Sequence, residues 1–433
     1  MIGQSPRRNF LKTAALTGAV AASGLALSRS VHAAGSNVIR IGLVGCGGRG
    51  TGAAFQALAT GEDVRLMAVG DYFKSRAMGA AASLQEQFPE QVEISEDRIF
   101  DGFENDKGVI ASDIDVLLIA CAAKFHPLYA LRGIEAGKHV FAEKPNAMDG
   151  EGLATLKQVV EFARKKNLSF LSGLHSRYCL QYAALVDKIH RGMIGEVRTI
   201  QSAFLRSPYG VRGYPADMSE LDVQVYNQYM FNWLSGDDFT QSLVHNVDRM
   251  TWVLDGKTPI AAVGMGGRAS MIARDYGDVF DHHHATFYYP EDHCRLFAWC
   301  RTEAGCYDEY DDIIIGSRGT AYWNAAKIVG ETNWQYEGRH TGGHQEEQTA
   351  FFKAIREGNR LDSGDYAINS SAMAILGQVA CYTGQRITWD EMVDSEFTFG
   401  PKASECMADM EPPVRLGEDG SYPVPVPGVC KYW

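Results

Sequence analysis

The stretch Val38-Ile39-Arg40-Ile41-Gly42-Leu43-Val44-Gly45-Cys46-Gly47-Gly48-Arg49-Gly50 joins a β-type apolar run to a Gly-x-Gly-x-x-Gly turn. Alone the three glycines are a weak signal. Their surroundings strengthen it. A helix is expected over residues 52–58, and a second apolar run, Val64-Arg65-Leu66-Met67-Ala68-Val69-Gly70, ends on Asp71, twenty-one residues past Gly50. A strand, a glycine turn, a helix and a distal acid form the dinucleotide-binding pattern. Each part has a physical reason. The turn needs unusual backbone angles, the pyrophosphate needs close backbone approach, and the helix must pack tightly on the strand. The amides of the helix N-terminus and its partial positive charge favour phosphate. Gly45, Gly47, Gly48, Arg49 and Gly50 are therefore candidate cofactor contacts. Asp71 is placed to accept hydrogen bonds from the adenosine ribose diol, which favours NAD. Lys74 and Arg76 follow closely and leave NADP as the alternative.

From this turn onward, strand-like and helix-like runs alternate. Helices are expected over 76–87, 127–136, 150–166 and 182–192, and strands over 116–121, 139–143, 169–173 and 197–205. Continuous apolar strands between helices indicate a doubly wound parallel sheet. After residue 260 the pattern changes to long strands of period two, such as His284-Ala285-Thr286-Phe287-Tyr288-Tyr289 and Arg295-Leu296-Phe297-Ala298-Trp299-Cys300. The expected fold is α/β: an N-terminal Rossmann domain over 36–160 and a C-terminal α/β domain over 161–390 with a large open, mostly antiparallel sheet. Helices across 345–385 are expected to pack back toward the first domain. Residues 391–433 read as an extended tail, rich in Pro, Gly and acids.

Ahead of the turn stands Ser5-Pro6-Arg7-Arg8-Asn9-Phe10-Leu11-Lys12, then a small-residue apolar stretch and Val31-His32-Ala33. This reads as a twin-arginine signal over 1–33, with the export machinery as partner and a periplasmic or otherwise exported destination. The apolar stretch is shorter than the roughly 20 residues that span a bilayer, so stable membrane insertion is not expected. Twin-arginine export moves folded proteins, which suits a protein that must load its nucleotide before leaving the cytoplasm. Removing residues 1–33 drops four of the 41 basic residues and none of the 53 acidic ones, moving the formal charge from −12 to −16. An acidic chain with scattered charges argues against nucleic-acid binding. Nine cysteines without a C-x-x-C pair argue against a zinc site or a dense disulfide framework.

Further along, Glu135-Ala136-Gly137-Lys138-His139-Val140-Phe141-Ala142-Glu143-Lys144-Pro145, Gly192-Met193-Ile194-Gly195-Glu196-Val197-Arg198 and His245-Asn246-Val247-Asp248 with Trp252 resemble the glucose–fructose oxidoreductase / inositol dehydrogenase / MocA family. The resemblance covers about residues 37–390, and Glu-Lys-Pro is its specific part. It implies hydride transfer between NAD(P) and a carbohydrate or polyol, with homo-oligomers formed through the C-terminal sheet. The family's catalytic lysine falls on Lys144 and its active-site histidine on His245. Glu143, Cys121 and His126 fall beside the cofactor. An aspartate usual four residues before the histidine is replaced by Gln241, which puts an Asp–His relay in question. A Thr-Pro pair usual before the helix at Pro127 is absent from Ala122-Ala123-Lys124-Phe125-His126. A similar branch, glycoside hydrolase family 109, uses bound NAD to cleave glycosides. That reading, and a non-catalytic sugar-binding homologue, stand as alternatives to an oxidoreductase.

Oxidation of a secondary hydroxyl needs a base for the hydroxyl proton. His245 suits, since an unperturbed imidazole titrates near neutrality. Lys144 follows a strand's C-terminal end and can hydrogen-bond the reacting oxygen. His175, Arg177, Tyr178 and Gln241 are substrate candidates, with a buried ion pair as the competing reading for Arg177. In Asp281-His282-His283-His284 neighbouring residues alternate faces, so a metal cluster is not expected there. His340 and His344 are given no role. Tyr226, Tyr229, Phe231 and Trp233 read equally as sugar-stacking or as core.

Overall fold

In the computed structural model, the described residues are 38–211, 217–271, 276–290 and 294–432. The expected signal over 1–33 lies outside them. The compact unit is 39–433.

Six parallel strands form the first sheet: β1 (Ile39–Val44), β2 (Val64–Gly70), β3 (Ile99–Phe100), β4 (Val116–Ile119), β5 (His139–Ala142) and β6 (Phe170–Ser172), in the order β3-β2-β1-β4-β5-β6. This is the doubly wound order. Its central strands are apolar on both faces because helices cover both. Ile41, Leu43, Leu117 and Leu118 are fully buried. The chain's direction of winding reverses between β1 and β4. At their carboxyl ends the loops diverge and leave a crevice, where ligands of such sheets bind.

Nine strands form the second sheet: β7 (Val197–Arg206), β8 (Ala261–Gly267), β9 (His282–Tyr288), β10 (Arg295–Thr302), β11 (Glu309–Gly316), β12 (Gly319–Tyr322), β13 (Lys327–Gly330), β14 (Trp334–Gln335) and β15 (Ile387–Thr388). The order is β14-β13-β12-β11-β7-β10-β9-β8-β15, and only the β7–β10 pair is parallel. Burial alternates strictly along β9 and β10, as period-two strands with one packed face require. The inner face carries Ala285, Phe287, Leu296 and Ala298. It packs on the helix Gly364–Thr383, of which residues 370–383 are all buried. A helix apolar nearly all round belongs in a core.

Two features tie the halves together. The helix His344–Arg356 packs on the helix Gly48–Leu58, and its Phe351, Phe352 and Ile355 enter the core beneath the Rossmann sheet. The tail is less peripheral than its composition suggests: Phe397, Phe399, Cys406 and Tyr422 are buried. Thr398 and the amide of Phe399 reach Asp149, which forms a buried ion pair with Lys124 at 2.8 Å. All nine cysteines are free. Among the described residues no helix is long and apolar enough to cross a membrane.

Candidate active site

The glycine turn follows from local sterics. Gly45 has φ +90°, and a Cβ on it would lie 2.2 Å from the Cys121 amide nitrogen. A Cβ on Gly50 would lie 1.7 Å from the Gly45 carbonyl oxygen. Only glycine fits either place. Gly47 and Gly48 differ, because a Cβ there meets nothing within 4 Å. The chain itself does not need those two glycines; the space before them does. The helix begins at Gly48, so its first amides face that space. The cleft is lined by Gly45, Gly47, Asp71, Asn105, Ala120 and Cys121, with Tyr209 and residues 226–230 forming the opposite wall. Asp71 is held firmly: Cys46 N donates to its Oδ2 at 2.7 Å and Phe73 N to its Oδ1 at 3.0 Å. Lys74 turns to Glu96 at 3.6 Å. The Arg76 guanidinium lies 4.5 Å from the centre of the Tyr226 ring, bridging the two walls. The Tyr72 hydroxyl donates to Asp222 at 2.7 Å on the same side.

Just past the end of β5 stand Glu143 and Lys144. Glu143 is buried and pairs with Arg49 of the turn at 3.0 Å. Lys144 Nζ donates to the Gln241 backbone carbonyl at 2.7 Å. Gln241 therefore meets the lysine through its main chain, and the amide side chain expected to matter is not the contact. Burial drives the Lys144 ammonium down to about 8, and Arg206 and Arg49 add to the effect while Glu143 and Asp238 oppose it. Lysines shift readily in this way when desolvated.

His245 opens the first turn of the helix Val244–Val253. Its ring sits 5.0 Å from that of His175, which stacks on His344 at 3.9 Å. Burial, and then the charges of Lys144, His175 and Arg249, push His245 well below its ordinary range. His175 and His344 move the same way, and for both burial is the main cause. Three neutral imidazoles result. The expectation of a histidine base titrating near neutrality is corrected here: burial takes His245 below that range, while it brings Lys144 down to about 8. Nδ1 of His245 and Nδ1 of His175 are buried without a partner. Among the described residues no carboxylate holds His245, so they build no Asp–His relay.

The other sequence candidates fall in different places. Arg177 pairs with Asp248 at 2.9 Å, donates to Thr251 at 3.0 Å and lies over the Tyr366 ring at 4.1 Å. It forms the buried ion pair and is not a substrate anchor. Tyr178 is half-buried, and burial pushes its hydroxyl up to about 12. His126 spans two loops, with Nδ1 2.8 Å from the Pro145 carbonyl and Nε2 3.0 Å from that of Cys121, and so braces the crevice. Cys121 lines it. Phe231 and Trp233 are core, while Tyr226 and Tyr229 face the cleft. His283 points inward to Asp237 at 2.6 Å, and His282 and His284 lie on the other face of the strand, as alternation requires.

Sequence reasoning missed His344 and Glu347. Gly343, at φ +84°, lets this segment pass His175; a Cβ there would lie 2.3 Å from the His175 carbonyl oxygen. The signal was present as a His-x-x-Glu pair in the first helical turn after two glycines.

Residues 39–174 match the model of the Gfo/Idh/MocA oxidoreductase family, NAD-binding Rossmann fold. An inositol 2-dehydrogenase of Burkholderia cenocepacia is 29% identical over 206 residues, covering 48% of this chain and 57% of that protein. The chain thus aligns with little more than half the length of such relatives. Among solved structures, scyllo-inositol dehydrogenase from Lactobacillus casei with bound NAD(H) and scyllo-inositol has a TM-score of 0.60 at 19% identity, covering 81% of this chain and 99% of that one. Levoglucosan dehydrogenase in complex with NADH and levoglucosan has a TM-score of 0.62 at 16% identity, covering 81% and 99%. Both likenesses are of fold. Over residues 39–174 the chain thus carries the NAD-binding Rossmann fold that the Gfo/Idh/MocA oxidoreductase model describes, and it is similar in sequence to inositol dehydrogenases.

Proposed function

We propose that the chain is an exported oxidoreductase that moves hydride between a retained NAD and a secondary hydroxyl of a sugar, polyol or glycoside. The observation that carries the reading is Lys144. It follows Glu143, whose partner Arg49 lines the cleft at the glycine turn, and burial lowers its pKa to about 8. The residues fit the cofactor: the turn leaves open space before Gly47 and Gly48, and Asp71 presents a fixed carboxylate at the other edge. Bound NAD would accept or return the hydride.

The chain's own residues do the rest. In the oxidative direction neutral Lys144 takes the hydroxyl proton, and its ammonium then holds that oxygen. Gln241's carbonyl aims the amine. His245 and His175 offer unpartnered Nδ1 atoms to flanking hydroxyls. A site built to hydrogen-bond hydroxyls rejects analogues that lack them. The similar folds that bind scyllo-inositol and levoglucosan support a polyol or sugar as the substrate class. The twin-arginine motif supports export, and export favours a retained cofactor.

Adding a panel of sugars and glycosides to the purified, nucleotide-loaded protein should change the absorbance of its bound nicotinamide. No change across the panel would contradict the reading. One observation favours a second reading. His175 and His344 place two more imidazoles beside His245, and a redox-assisted glycosidase needs an extra base for elimination. Release of a chromogenic aglycone without added nucleotide would identify that chemistry.

A further inference from the structure

Beside Lys144 lies a cluster that the proposed hydride transfer does not use. Glu143 comes from the end of β5, and His344 and Glu347 from the first turn of the helix His344–Arg356. One ligand atom from each lies within 4.8 Å of the others. His344 Nδ1 and Glu347 Oε1 are 3.4 Å apart. Two atoms held at about 2.1 Å by a tetrahedral ion stand roughly 3.4 Å apart, and the third needs only a small inward movement.

Charge makes the cluster unusual. Arg49 is the cation paired with Glu143. Glu347 is fully buried, and its Oε2 has no hydrogen-bond partner. A buried carboxylate oxygen left without a partner is costly, and a proton or a cation would satisfy it. The His344 side chain is 34% exposed, so the cluster opens to solvent on one side.

We propose that Glu143, His344 and Glu347 bind a divalent transition-metal ion, with a fourth position open to water or a substrate oxygen. One imidazole with two carboxylates suits Zn2+ or Mn2+ better than Mg2+, which prefers oxygen ligands and keeps its waters. Three protein ligands and one open place is the arrangement of catalytic rather than structural zinc. The inference does not depend on which substrate the cleft takes, and its test needs none.

The full chain, stripped with chelator and dialysed, is titrated with zinc sulfate and separately with magnesium chloride, and retained metal is measured by mass spectrometry. One equivalent of zinc per chain is expected, with no saturable magnesium binding. Glu347→Gln, close in shape, should lower zinc affinity on the order of 100-fold or more, since even outer-shell changes cost 10–100-fold. His344→Ala should do the same. Far-UV circular dichroism of each metal-free variant should match the parent, which separates ligand loss from misfolding. Zinc below a tenth of an equivalent, or unchanged zinc affinity in a folded Glu347→Gln variant, would overturn the proposal. The first result would assign Glu347 to a proton instead.

Discussion

Replacing Gly47 by alanine separates what the chain needs from what the cofactor needs. Gly47 has φ −74° and ψ −177°, extended backbone that any residue adopts. A Cβ there meets nothing within 4 Å, so Gly47→Ala should fold and keep its free stability within about 1 kcal/mol of the parent. The new methyl instead occupies the space before the helix N-terminus. If the pyrophosphate lies there, it must retreat or strain the turn. Overpacking of that kind costs about 1–3 kcal/mol, a loss of roughly 5- to 150-fold in NAD affinity. Gly50→Ala is the contrasting variant. Its Cβ would sit 1.7 Å from the Gly45 carbonyl oxygen, so the turn itself must move and free stability should fall as well. Calorimetric titration of NAD gives the affinities, and thermal unfolding of the nucleotide-free proteins gives the stabilities. Unchanged NAD affinity in folded Gly47→Ala would refute the placement of the pyrophosphate.

Four further outcomes follow from the same geometry. Lys144→Met should retain NAD and lose roughly 10²- to 10⁴-fold in kcat/KM for sugar oxidation, the usual range for a general base. In the parent, oxidation should rise with pH and level off above about 8, because the protonated amine cannot accept a proton; stability should rise between about 8 and 10.5, where only the unfolded lysine still holds its proton, and Lys144→Met should remove both effects. Gln241→Ala should cost less than about tenfold in kcat, far below the loss expected for Lys144→Met, since the lysine is held by a main-chain carbonyl. Arg177→Ala should lower thermal stability strongly, by about 3–5 kcal/mol, because Asp248 is left buried and unpaired.

Much of the first domain was legible because its determinants are local. The apolar strands, the glycines and Asp71 lie within one short span, and each answers a backbone or packing demand that sequence order displays. The half-buried strands of the second sheet were legible through their alternation, which also set His283 on the opposite face from its neighbours. The catalytic end was legible only in part. Lys144 was visible from its setting, but its lowered pKa comes from burial by distant segments. The role of Gln241 was hidden because a carbonyl is common to every residue. His245 was read as a titrating base because burial cannot be seen in its neighbours along the chain. His344 and Glu347 reach the site from a helix far away in sequence, brought there by the packing of Phe351 and Phe352 under the Rossmann sheet.

The most direct test is a crystal structure of the chain with NAD and a bound polyol. The account predicts pyrophosphate against the amides of Gly47 and Gly48, a ribose diol on Asp71, and the nicotinamide with the substrate hydroxyl beside Lys144. A dinucleotide lying elsewhere, or a hydroxyl out of reach of the Lys144 amine, would contradict it.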